Sequence, residues 1–149
     1  MILYLDTSNL VKLYVLEADS EIIKALVADA SLIVTSRIAC PEFYSALMRR
    51  RNRIEISEED YDRLCTLFAD DWERLSILDF NELEAGRLVR KHGLRGADAI
   101  HLASAVLLAQ ADESVEMVFS SADRKLNEAA VAEGLLLRPT ASSKHVEVK

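Results

Sequence analysis

Short apolar runs of strand length alternate with longer stretches in which apolar residues return every three or four positions, from one end of the 149-residue chain to the other. The short runs fall at 2–5, 32–34, 75–78, 116–119 and 135–137, and the helical periods at 9–16, 20–28, 41–53, 58–74, 82–92, 97–110 and 123–133. Parallel strands need a long connection between them, commonly a helix, so this alternation predicts a parallel sheet with helices on both faces. The expected fold is therefore α/β in three layers, a central five-stranded parallel sheet flanked by helices, with strands apolar enough to be buried on both sides. Ser57 with Asp60 and Asn81 with Glu84 stand as N-cap and N3 pairs, Pro41 falls in the first turn of its helix, and Gly93 and Gly134 occupy left-handed C-terminal caps. No linker, repeat or low-complexity tract divides the chain, so residues 1–149 read as a single domain. Its polar end from Thr140 to Lys149, which lacks apolar periodicity, is expected to fray.

Composition narrows the class. With 50% hydrophobic residues, 4 Gly and 2 Pro, the chain has the makings of a real core and is no disordered, collagen-like or repeat protein. No apolar run approaches the roughly 18 to 20 residues that span a bilayer, and no basic segment precedes the short apolar start, so a cytoplasmic protein without a membrane partner is expected. Cys40 and Cys65 lie in helical periods and, with three histidines, have no zinc-site spacing. A formal charge of −7, from 25 acids and 18 Lys plus Arg, argues against nucleic-acid binding through a bulk positive field.

Most acids sit on helix faces where solvation accounts for them, but four do not. Asp6 follows directly on the first strand, at the carboxyl end of the sheet, where open α/β folds bind ligands. Glu42 lies in a run from Ile38 to Met48 whose other side chains are apolar or small all round the helix, so it wants a partner. Asp98 heads an apolar stripe, with Leu102, Ala105 and Ala109 following at i+4, i+7 and i+11. Asp123 repeats the geometry of Asp6, closing a strand and opening a helix. Taken singly, each has a plain structural use: a helix cap or turn for Asp6, Asp98 and Asp123, a helix-dipole contact or an Arg49 pair for Glu42. Taken together on one sheet edge, four carboxylates repel unless cations bind, and hard oxygen donors suit Mg²⁺ or Mn²⁺. Such a site fits phosphodiester hydrolysis.

These residues sit in recognisable surroundings. LDTSNLVKLY around Asp6, PEFYSAL around Glu42, RGADAIHLASA around Asp98 and FSSADRKLNEAAVAEGL around Asp123 resemble the PIN-domain family, and within it VapC toxins, the ribonuclease halves of toxin–antitoxin pairs. The resemblance runs from Met1 to about Pro139 and is most specific in the Asp98 and Asp123 segments. It implies that Asp6, Glu42, Asp98 and Asp123 are both the metal ligands and the catalytic set, with Mg²⁺ or Mn²⁺ as cofactor. Ser8 matches the small hydroxyl residue after the first acid, and Ser121 stands where the family often has Thr. The implied reaction is hydrolysis of an RNA substrate to a 5′-phosphate and a 3′-hydroxyl. The implied partners are a cognate antitoxin, whose peptide lies over the toxin, and a second copy in a homodimer.

Other assignments follow from the residues themselves. Leu10, Leu13, Tyr14, Ile22, Ile23 and the helix from Tyr61 to Trp72 are candidate surfaces for that peptide, or simply core. Arg49, Arg50, Arg51 and Arg53, and then Arg87, Arg90, Lys91 and Arg95, are the basic groups that could meet RNA, each also readable as a solvated helix face. His101, one turn beyond Asp98, is read as a core or helix-surface histidine, and Tyr4, Tyr14, Phe43, Tyr44 and Phe68 as core or interface. A haloacid-dehalogenase phosphatase would need an acid where Ser8 stands, and a receiver domain an acidic pair and a later Lys at places where neither occurs. Two alternatives within the fold stay open: a PIN nuclease of RNA processing, and a catalytically silent PIN binding module.

Overall fold

Side chains alternate across a strand, and that alternation separates two cores. The computed structural model describes residues 1–138. In β1 (Ile2–Leu5), Leu3 and Leu5 enter one apolar cluster and Tyr4 the other, all three at 0% exposure. The chain continues through α1 (Thr7–Val11), α2 (Ser20–Asp29), β2 (Leu32–Ser36), α3 (Ala39–Asn52), α4 (Glu58–Trp72), β3 (Ser76–Leu78), α5 (Glu82–His92), α6 (Gly96–Ala111), β4 (Met117–Ser120), α7 (Arg124–Ala132) and β5 (Leu136–Leu137). The five strands form one parallel sheet in the order β3-β2-β1-β4-β5. Helices α1 to α4 cover the face of Leu3, Leu5 and Val118, while α5 to α7 cover the face of Tyr4, Val34 and Phe119. This is the expected three-layer α/β sandwich.

Strand order reverses at β1, which pairs with β2 on one side and β4 on the other. The carboxyl ends of β1 and β4 therefore lie side by side, with Leu5 in register with Ser120 and the Asp6 amide donating to the Ser120 carbonyl at 3.1 Å. Such a reversal leaves a crevice above the strand ends, the usual ligand position of open α/β sheets.

Several local expectations need correction. The helix expected over 9–16 is a single short turn, Thr7–Val11, because Asp6 caps it early, its side chain accepting from the Asn9 amide. The third helix begins two residues before Pro41, which still falls in its first turn, where a missing amide proton does no harm. The strands are not all buried on both faces: Leu136 and Leu137 on edge strand β5 are exposed, and β3 is only partly covered. Leu10 and Ile23, considered as partner surface, are core, whereas Leu13, Tyr14 and Trp72 pack at its margin. Ser57, Asn81 and Gly93 cap their helices as read, and Gly93 and Gly134 have positive φ. The segment expected to fray lies outside the described residues. Among the described residues no helix is long and apolar enough to cross a membrane.

Candidate active site

Asp6 is where the two halves of the sheet meet. It is only 4% exposed, yet both of its carboxylate oxygens are engaged. Oδ1 accepts from the Ser8 hydroxyl at 2.6 Å and from the Asn9 amide at 3.2 Å, and Oδ2 accepts from the Ser121 hydroxyl at 2.6 Å. Each serine has a second task, for Ser8 Oγ accepts from the Ala122 amide at 2.9 Å and Ser121 Oγ from the Asp123 amide at 3.0 Å. Two hydroxyls thus lace the turn after β1 to the turn after β4. Asn9, fully buried, adds a bond from Nδ2 to Ser120 Oγ at 2.8 Å, and Asn127 of α7 donates to the Ser121 carbonyl at 2.9 Å. Burial nevertheless pushes the Asp6 carboxyl above its ordinary pKa, against the opposing influence of His101 and these hydrogen bonds.

Asp123 is the N-cap of α7, its Oδ1 accepting from the Leu126 amide at 2.8 Å. Asp6 and Asp123 are therefore helix caps, as the structural alternative held, and they also share Ser121. That shared hydroxyl ties two acids 117 positions apart in sequence to one sheet edge.

Glu42, in the first turn of α3, points to neighbours that its own helix does not provide. Its Oε1 accepts from Thr7 Oγ1 at 2.7 Å and meets His101 Nε2 at 2.7 Å, while Arg49 bonds Ser45 instead. His101 is 2% exposed, and its Nδ1 meets the hydroxyl of fully buried Tyr4 at 2.9 Å. Burial works against ionisation of Glu42, but the bonds from His101 and Thr7, helped by the charge of Arg95, hold its carboxyl below the ordinary range. Burial also raises the Tyr4 phenol well above its usual pKa, with the Asp6 charge adding to the effect.

Asp98 lies in the first turn of α6, three residues before His101 and so on the same side of the helix. Its Oδ2 accepts from Arg95 Nε at 3.3 Å, and its side chain is 17% exposed. No hydrogen bond ties it to the other three acids among the described residues. Asp6 and Asp123 lie at the carboxyl edge of the sheet, Glu42 reaches it through Thr7, and Asp98 heads the helix that carries His101, but among the described residues no three of His, Cys, Asp or Glu are grouped so as to hold a metal ion.

The PIN domain model matches residues 3–132. The chain belongs to the PIN-domain family. Ribonuclease VapC45 of Mycobacterium tuberculosis, strain CDC 1551 / Oshkosh, is 34% identical over 141 residues, covering 93% of this chain and 95% of its own, which places this PIN domain among the VapC-like members. Solved structures of low sequence identity share the fold. FitAcB from Neisseria gonorrhoeae superposes with a TM-score of 0.65 at 16% identity, covering 93% of this chain and 97% of that one. VapBC2 from Rickettsia felis, bound to a DNA fragment from their promoter, gives 0.59 at 19% identity, over 94% and 99% of the two chains.

Thr7 carries no mark of its own in the PIN-domain sequence, and Tyr4 and His101, read as core, are buried as expected, but their contact with each other and that of His101 with Glu42 leave no local signal. What spacing does show is that Asp98 and His101 are one turn apart on a helix and that Thr7 adjoins Asp6. The basic runs were a weaker guide. Arg50 and Arg51 pair with Glu17 and Glu58, Arg87 and Lys91 with Glu133, and of those groups it is Arg95 that pairs with a site acid, Asp98.

In chemical type, the donor set suits the divalent cation that the family implies. The oxygens are hard carboxylate donors, as Mg²⁺ and Mn²⁺ require. Asp6 is a nearly buried anion whose bonded partners are hydroxyls and an amide, with no Lys or Arg paired to it among the described residues. Glu42 Oε2, Asp98 Oδ1 and Asp123 Oδ2 accept no hydrogen bond among the described residues, while their partner oxygens are held. In donor type and unspent valence the set fits a dication.

Proposed function

We propose that this PIN domain is a metal-dependent endoribonuclease, the toxin of a toxin–antitoxin pair, hydrolysing RNA phosphodiester bonds at Asp6, Glu42, Asp98 and Asp123 with Mg²⁺ or Mn²⁺ as cofactor. The observation that carries this reading is Asp6 itself, a nearly buried carboxylate laced by Ser8 and Ser121 at the point where strand order reverses. Asp6, Glu42, Asp98 and Asp123 would hold the ion. Bound there, a dication would supply a more acidic water as nucleophile and positive charge opposite the phosphate oxygens.

The chain's own contribution is preorganisation. Ser8 and Ser121 fix the orientation of Asp6, Thr7 and His101 fix that of Glu42, and the α7 amides fix Asp123, so little reorganisation is left for the moment of reaction. Exposed Arg95 and Arg37, the latter stacked over Phe80 at 5.3 Å, and Arg124 at the start of α7 supply positive charge around an otherwise anionic edge. The ribonuclease name of the Mycobacterium relative supports the activity, and the VapBC2 assembly supports an antitoxin partner. A homodimer belongs to the same reading and is tested by light scattering on the purified chain.

Cleavage of a mixed cellular RNA pool with Mg²⁺ or Mn²⁺, run beside Asp98→Ala prepared identically, tests the proposal. Metal-dependent cleavage lost in the variant is the expected result, and equal cleavage by both proteins would remove the site assignment. A second reading, a PIN module that binds without turnover, draws on the open arrangement of the four acids. Mn²⁺ binding without cleavage of any RNA in the pool would favour it. Toxicity on expression that a small neighbouring gene product relieves separates a toxin from an RNA-processing nuclease.

A further inference from the structure

Beneath the acidic edge a polar chain reaches the site acid Glu42 from the interior of the fold. Tyr4 of β1, His101 of α6, Thr7 of α1 and Glu42 of α3 come from four elements and meet through three contacts with the imidazole ring, at 2.9 Å to Tyr4, 3.1 Å to Thr7 and 2.7 Å to Glu42. Tyr4 and His101 are 0% and 2% exposed while Thr7 and Glu42 are half-buried, and polar groups taken this far from water are costly unless each is satisfied.

The proton arrangement follows from the partners. An ionised Glu42 can only accept, so at 2.7 Å His101 Nε2 must carry a proton, and Thr7 spends its own proton on the same Oε1. With Nε2 protonated, a single-proton ring leaves Nδ1 as an acceptor, and the Tyr4 hydroxyl donates to it. The ring is thereby fixed at both nitrogens, with its edge-on packing against Tyr4 at 6.0 Å between centroids setting the plane. Two donors converge on Oε1 while Oε2 accepts none among the described residues.

We propose that His101 is a positioning residue for Glu42: oriented by Tyr4 and assisted by Thr7, it saturates one carboxylate oxygen and so presents the other to a divalent cation. This rests on the cation-site reading given above. The ring N–H suits the task because its direction toward the carboxylate is set by contacts on both sides of the ring, from Tyr4 and Thr7. Groups that orient a metal ligand in this way commonly matter about 10–100-fold in metal affinity when removed.

Mn²⁺ titration of the full chain without RNA, followed by electron paramagnetic resonance, tests the assignment independently of turnover. His101→Leu is expected to bind Mn²⁺ about tenfold more weakly. His101→Gln, whose side-chain amide can reach the Nε2 position, is expected to recover most of that loss, while His101→Asn, a buried amide too short to reach, is not. Removing the histidine from a Glu42→Gln background is expected to add no further loss, since the two residues act through one oxygen. Wild-type affinity in a folded His101→Leu, equal affinity in the Gln and Asn variants, or additive losses in the double variant would each overturn the assignment. If the wild-type chain binds no Mn²⁺ at all, the cation reading falls and this inference with it, so the two failures are told apart by the wild-type titration alone.

Discussion

At the scale of single residues, Asp6 carries opposing demands. Its carboxylate caps α1 and accepts from two serines, which favours the fold, but burial disfavours its charge, which opposes it. A carboxyl whose pKa is raised in the folded protein destabilises that protein once it ionises, at pH above the raised value. Asp6→Asn keeps an acceptor for the Asn9 amide and removes the charge, so its Tm at pH 7 is expected to equal or exceed that of the wild type while RNA cleavage is lost. A lower Tm in thermal melts would show that the capping and serine bonds outweigh desolvation. Asp98 is the opposite case. Its bonded partner is an arginine that is 83% exposed, so Asp98→Ala is expected to cost less than about 1 kcal/mol in urea unfolding. Its effect on activity should therefore be separable from any effect on folding.

At the scale of elements, helices α3 and α4 are joined by Phe43 and Phe68, fully buried rings stacked 3.7 Å apart. Phe68→Ala is expected to cost about 3–5 kcal/mol, read as a fall in urea midpoint, and to loosen the α3 segment that carries Glu42. A second joint links α5 to α7. There, burial works against the Glu133 carboxylate, but His92, Lys91 and Arg87 around it hold its pKa at about 2, below the ordinary 4.5. A depressed acid stabilises the fold above its ordinary pKa and loses that contribution as pH falls through its folded value. The stability gap between wild type and Glu133→Gln is therefore expected to close as pH is lowered from about 4.5 to about 2, and denaturant midpoints across that range measure it.

The elements themselves were legible because their signals are local. Ser57, Asn81 and Gly93 mark helix ends by chemistry that acts over one turn, and strand alternation set which residues face which core. Edge exposure was not legible, since Leu136 and Leu137 read as interior and only the strand order shows that β5 ends the sheet. The site divided in the same way. Asp6 and Asp123 announce themselves at strand ends, whereas the bond between His101 and Glu42 spans 59 positions and leaves no local trace. The arginine run at the end of α3, readable as a solvated helix face, pairs with Glu17 and Glu58 instead, since proximity in sequence at the end of a helix says nothing about proximity to a site at its beginning.

At the scale of the whole molecule, a protein of formal charge −7 must meet an anionic polymer through a few well-placed cations. Arg37, Arg95 and Arg124 lie at the edge that bears the acids. Three phosphate contacts on a single strand correspond to a slope of about −2 in log affinity against log salt. Filter binding of single-stranded RNA by Asp98→Ala at several salt concentrations is expected to give that shallow slope, and a slope near −5 would point to a much broader basic footprint.

The lacing of Asp6 to Ser121 also has a consequence in time. A ribosome delivers Asp6 115 residues before Ser121. Until then β1, the middle strand of the finished sheet, has no β4 beside it, and neither Ser121 nor the Asp123 cap exists to complete the edge. A chain cut short before that point would lack the site as well as half of the sheet's central pairing. On the proposed reading, chemistry at this edge therefore waits until Ser121 and Asp123 have been made.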